Sequence, residues 1–351
     1  MAKPILFSNI SLVYSLLSFI LGTLILNINV SAFFASSLHS EALAVTGSVG
    51  LLTYIPETLI LCVSYAIQNQ SARNITPSLS PLPPLSCLYH GLMIACAFLI
   101  PITSLMLIFP TQSLSLISQD IPLNTTTILY FRIFIIGLLF KSFILCLRGF
   151  YAAQKSNLLF FFVIAVTVTS NFLLNVFFLA SPTIYTQLDF AAIGLSYCLS
   201  MLLGFLVYLF QLARDLNHHP VQKPEWSFCR QTSATLLKFM LPLSLHNILD
   251  HFGTMQIFIL TEKALGLTAL ASMHLLATLL YLFPGMGFGL TALTFVSQAY
   301  GKKDLLSARK SGNYILLLGS VSMGFMGLIL FYFTENILAW MTPDLALRTY
   351  S

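Results

Sequence analysis

Nine times along this chain, apolar residues run for the length needed to cross a bilayer: Leu6–Phe34, Ala42–Ile67, Leu88–Phe109, Thr126–Ala152, Leu158–Ala180, Phe190–Leu212, Leu236–Leu260, Leu267–Ser297 and Tyr314–Phe333. A helix needs about 20 residues to span a hydrocarbon core about 30 Å thick. The runs are apolar on every face, and they lack the alternation of a membrane β-strand. Within lipid each backbone N–H and C=O must be satisfied inside the segment, so every run is read as a helix. The first is too long for the core of a cleavable signal and is read as a span. The expected fold class is an all-α membrane protein, a polytopic helical bundle of about nine transmembrane helices.

Charge excludes the soluble classes. Only 8% of residues are charged, where soluble domains carry about a quarter. The net charge of +5 is therefore read by placement, and no nucleic-acid partner is expected. With the N-terminus inside, Arg73, Lys155, Arg214, Arg230, Lys302, Lys303 and Arg309 fall in inner segments or adjoining span ends, and so does Arg148. Outer segments hold Lys263 and Arg348, while Arg132 and Lys141 lie within the fourth span. This asymmetry follows the positive-inside rule and places the N-terminus in the cytoplasm. The six cysteines have neither CxxC pairing nor metal-ligand spacing and read as small apolar filler. His218 and His219 lack a companion ligand, so no metal is expected there.

The polar stretch Arg214–Ser233, with Pro220 and Pro224, divides the chain. It separates a six-helix lobe (1–213) through a cytoplasmic linker (214–233) from a partial lobe of three helices (234–351). An internal repeat supports the division. LHSEALAV at Leu38–Val45 resembles LGLTALAS at Leu265–Ser272; with one residue of slippage, Pro56 falls opposite Pro284 and Gln70 opposite Gln298. Six spans separate the copies, so they share one orientation and form parallel lobes about an axis along the membrane normal.

The run from Ala271 to Asp304 carries a small residue with His274, a mid-span Pro284–Gly285 and a Gln298–x–x–Gly301 exit. Pro242 precedes Asp250 by eight residues, Arg148–Gly149 stands before Lys155, and Asn171 and Asn175 pair on the fifth span. In this order and spacing the chain resembles the multidrug and toxic compound extrusion (MATE) family of secondary antiporters. The resemblance covers essentially the whole chain but nine of that family's twelve spans, so the sequence reads as truncated after the ninth. It implies an inner- or plasma-membrane exporter of organic, often cationic, drug-like compounds, driven by Na⁺ or H⁺, without further cofactor and monomeric. The family's first-span acid would fall at Ser31, and its tenth-span acid would lie past Ser351.

Asp250 is the leading ion- and substrate-binding candidate, because an acid within a membrane-length segment costs about 2.5 kcal/mol or more unless it faces protein or water. His246, one turn earlier, is placed to orient it. Glu57 and Lys141 lie at one depth of the second and fourth spans and are read as partners, with Glu57 also a candidate for substrate contact. Asn171 and Asn175 share a face and either line the cavity or bond between helices. His251 and His274 read as packing residues. Pro284 and its glycines mark a hinge or a close-packed segment.

Two other readings stay open: a transport-inactive truncated protein, and a flippase for lipid-linked oligosaccharides. A flippase calls for cavity cations to meet phosphates. Only Lys141 and Arg132 offer themselves, and Asp250 argues the other way. An intramembrane enzyme is not expected, since HExxH and GxSxG are absent.

Overall fold

Where the apolar runs are described they are helical, with local chemistry setting several of the ends. The structure, a computed structural model, describes residues 12–22, 30–38, 40–75, 85–116, 123–155, 157–218, 229–266, 269–270, 272–274 and 285–341. In chain order the helices are α1 (Leu12–Gly22), then α2 (Val30–Leu38), α3 (Ser40–Arg73), α4 (Leu85–Ile108) and the short α5 (Pro110–Ser115). They continue with α6 (Thr125–Ala153), α7 (Asn157–Ala180), α8 (Pro182–Leu188), α9 (Ala191–His218), α10 (Arg230–Leu265), α11 (Gly285–Gly301) and α12 (Leu305–Met341). Six of them, α3, α4, α6, α7, α9 and α12, are long and apolar enough to cross a membrane by length and composition.

Caps explain the sharper ends. Asn124 starts α6 by accepting the Thr127 N–H at 2.8 Å, and Asp304 starts α12 by accepting the Ser307 N–H at 3.0 Å, satisfying donors that the first turn leaves orphaned. Gly266 closes α10 at φ 85°, a backbone region that glycine reaches without strain.

The first expected span, Leu6–Phe34, is described in two pieces, α1 and α2. The middle of the eighth lies outside the described residues, and the hinge at Pro284 with it. The polar stretch Arg214–Ser233 is helical at both ends, since α9 runs to His218 and α10 begins at Arg230.

Packing centres on α6, which packs extensively on α3 and α9, while α7 packs on α9. One buried apolar cluster joins the first half of α3 with the first half of α6, the start of α9 and Met255 and Phe258 of α10. A second joins the last half of α3 with α4, the end of α6, and Leu236 and Met240 of α10. The two clusters show that α10 runs antiparallel to α3. Helix α12 packs on α11, and the pair meets α1 through Leu12, Leu16, Phe288, Phe295 and Ile315.

Residues matched by the repeat touch one another. Gly47 lies against the His274 ring, and Gly301 lies against the Arg73 carbonyl. Ser297 Oγ donates to Asn69 Oδ1 at 2.8 Å. These pairs keep the 227- or 228-residue offset of the repeat, the contact expected of matched residues that lie close to an axis relating two copies.

Candidate functional site

Between α3, α6, α7 and α9 lies a cavity of about 400 Å³ that reaches His251 and Phe258 of α10 and His274. Its wall is aromatic, with Tyr54, Phe134, Phe160, Tyr197 and Tyr208 among the lining residues. Phe134 and Tyr197 stack with centroids 4.3 Å apart.

The charged lining comes from two faces of parallel helices. Glu57 of α3 and Lys141 of α6 form an ion pair at 2.5 Å, each about a quarter exposed. Two turns further along, Arg148 of α6 donates through Nη2 to Ser64 Oγ of α3 at 3.2 Å. The Ser64 hydroxyl gives its own hydrogen to the Leu145 carbonyl at 2.5 Å. Both cross-helix pairs are 84 residues apart, which is one register of α3 against α6.

Of the residues expected to form the site, Glu57 and Asn171 line the cavity. Asn175 is fully buried beneath Asn171, donating to its Oδ1 at 2.7 Å and its backbone oxygen at 2.9 Å. The asparagines bond to each other within α7 and so steady one another. Asp250 and His246 are not brought into the cavity. Both side chains are exposed on α10, and no hydrogen bond joins them. The reason is azimuth: successive helical residues point about 100° apart, and His251, one step on, takes the inward direction. Its Nε2 lies 2.8 Å from the Leu51 carbonyl oxygen, in the turn of α3 that Pro56 disturbs, and its ring stacks on Tyr54 at 4.1 Å. Asp250 stays close enough to Tyr54 and His251 to act on both electrostatically. His274 packs on Phe258 at 4.7 Å.

Arg148 is the residue that sequence reasoning missed. It stands near the end of α6 and reads as a loop-flanking cation, yet it is 2% exposed and lines the cavity. A signal existed: once Glu57 is paired with Lys141, the same register sets Ser64 beside Arg148.

Beyond the cavity, on the side where α3, α6 and α11 end, a polar clamp closes the path. Gln68 Nε2 donates to Thr294 Oγ1 at 2.7 Å and to the Leu290 carbonyl at 2.9 Å. Gln298 Nε2 donates to the Ala153 carbonyl at 2.8 Å. Arg73 lies over the Tyr300 ring at 4.7 Å and Lys155 over the Phe295 ring at 4.0 Å. Burial together with neighbouring Lys302 holds the Lys155 amine below its ordinary range.

A partly open cavity within membrane-length helices, with side-chain contacts between two helical sets at one end, has the architecture of a membrane transporter. Residues 242–351 match the MatE family model. Three solved structures share the fold. One is the outward-facing conformation of a multidrug resistance MATE family transporter of the MOP superfamily, at 16% identity over 95% of this chain and 76% of that one, with a TM-score of 0.73. Another is MATE in the straight conformation, at 19% over 97% and 77%, TM-score 0.72. The third is a MOP superfamily transporter from Pyrococcus furiosus, described as having a binding pocket of reversed polarity that suggests a different function, at 16% over 96% and 75%, TM-score 0.72. No curated protein sequence matches. The chain thus has the MATE transporter fold, and its last third carries the MatE sequence signature.

Proposed function

We propose that the chain is a secondary antiporter that exports an organic solute through this cavity in exchange for Na⁺ or H⁺. The observation that carries the reading is the cavity itself: large enough for a drug-sized body, walled by aromatics, and holding an ion pair where the solute would lie. Alternating access then requires a second arrangement in which the α3–α11 clamp parts, each occupant favouring one arrangement by its differential affinity. Glu57 is the carboxylate inside the cavity, so it rather than exposed Asp250 is placed to be contested between ion and solute. Asp250, exposed on α10, is assigned to ion entry.

The basic ends Arg73, Lys155, Lys302 and Lys303 gather at the clamp, which supports a cytoplasmic clamp side and N-terminus in the plasma or inner membrane. The chain acts as a monomer, with residues 1–213 as the first lobe, 214–233 as the linker and 234–351 as the second lobe.

The test is export from cells, with and without the chain, of paired cationic and anionic aromatic dyes under imposed Na⁺ or H⁺ gradients. Gradient-dependent export of either dye, abolished by E57Q and slowed by D250N, is the expected result. Equal accumulation of both dyes with and without the chain overturns the reading.

A further inference from the structure

Two cations and one anion line the cavity, and the anion is already taken. Lys141 spends its charge on Glu57. Arg148, seven residues and about 10 Å further along the same face of α6, meets no carboxylate among the described residues. Its immediate partners are weak for a guanidinium. They are one serine hydroxyl at 3.2 Å, the Met286 sulfur at 3.9 Å, and Tyr65, whose hydroxyl lies in hydrogen-bonding reach and whose ring centroid is 5.7 Å away. Its Nε has no hydrogen-bond partner at all, although the side chain is buried.

Burying a charge is expensive unless an opposite charge and hydrogen bonds compensate. A guanidinium offers five N–H donors in a planar fork that matches a carboxylate, phosphate or sulfonate. Here the fork is held by Ser64, itself fixed by Leu145, with the Nε buried and unpaired in a residue that lines the cavity. The histidines at the cavity, His251 and His274, can add only positive charge to this balance.

We propose that the cavity selects molecules bearing an anionic group, which docks on the uncompensated guanidinium of Arg148 while an apolar or aromatic body packs on the aromatic wall. This rests on the transport reading above and names its substrate class. It reverses the expectation of a cationic solute: an organic cation entering the cavity would meet an unneutralised guanidinium and would have to displace Lys141 to reach Glu57. The anionic group can belong to a free organic acid or to a lipid phosphate, and the chemistry at Arg148 is the same.

The experiment is titration calorimetry on the purified full chain in phosphatidylcholine nanodiscs, using two probes of one shape, 1-naphthoate and 1-naphthylmethylammonium. The expected result is naphthoate binding at least tenfold tighter than the ammonium. R148Q should weaken naphthoate at least tenfold. R148K, which keeps the charge and loses the fork, should fall between. Should R148Q fail to fold, E57Q decides: it leaves Lys141 uncompensated and should tighten naphthoate.

Equal or tighter binding of the ammonium, no binding of either probe, unchanged naphthoate affinity in folded R148Q, or weaker naphthoate binding in E57Q each overturns the proposal. Repeating the titration with phosphatidylglycerol added separates the sources. Competition with naphthoate assigns the site to a lipid phosphate, and undiminished binding assigns it to a soluble anion. A preference for the ammonium would leave the transport reading standing. Absence of gradient-driven export would remove that reading while the binding preference remained measurable.

Discussion

G301A tests whether the clamp is the barrier between the cavity and the side where α3, α6 and α11 end. Gly301 lies against the Arg73 carbonyl, and a Cβ there would overlap a backbone atom that has no rotamer to escape into. Helices α3 and α11 must then part, by roughly 1 Å to restore van der Waals contact. That displacement carries the nearest clamp bonds, Ser297 to Asn69 and Gln298 to Ala153, both 2.8 Å, beyond hydrogen-bonding distance. Hydrogen bonds between membrane helices contribute about 0.6–1.7 kcal/mol each. Losing two shifts the closed–open balance by about 1–3 kcal/mol, or about 5- to 150-fold. Thr291 is fully buried, at the inner end of the clamp one turn deeper than Thr294, and bonds only to its own helix at Gly287. A T291C reporter, in a C229S background, should label with a membrane-impermeant maleimide at least fivefold faster when G301A is added. G253A is the control, because a Cβ at Gly253 meets open space. Equal labelling with and without G301A, in protein that still folds, would show that the clamp does not limit access and that the alternating-access argument built on it fails.

The Glu57–Lys141 pair predicts non-additivity: E57Q and K141Q should each lower thermal stability more than the double variant does, with a coupling of about 1–3 kcal/mol between the exposed and buried limits; additive losses in a thermal-shift cycle would refute the pairing. Cys229 is exposed, and a hydrogen bond from Thr232 at the start of α10 holds its thiol below its ordinary range, while Cys62, Cys87, Cys146 and Cys198 are buried. A thiol probe followed by peptide mapping should therefore modify Cys229 first, and equal modification of a buried cysteine would refute the packing. The Ser307 N–H holds the Asp304 carboxyl below its ordinary 3.8. A depressed carboxyl contributes stability that is fully present above that value and lost as pH falls through the lower folded value. Hydrogen exchange at the start of α12 should accelerate only at such acid pH in the parent, and far less in D304N, whose amide still caps without titrating; identical acid profiles would remove the cap from the account.

The sequence dictates the membrane-length helices because lipid leaves the backbone no other solution. The repeat was legible in matching residues, and the structure brings two positions at its offset together, Gly47 with His274 and Arg73 with Gly301. What composition hides is azimuth. A helix apolar on every face has no polar side to declare which direction is inward, so the sequence favours Asp250 for the cavity and reads His251 as packing, whereas the interior takes His251. Register between helices carries the missing direction. Glu57 and Lys141 were readable as partners from depth alone, and one pair on two parallel helices fixes every other pair on the same seam. Extending that seam by seven residues puts Ser64 against Arg148 and turns an apparently loop-flanking arginine into the cavity's one uncompensated charge among the described residues. The polarity of the site therefore follows from a pairing that the sequence already contained, and the choice between cationic and anionic cargo turns on that single register.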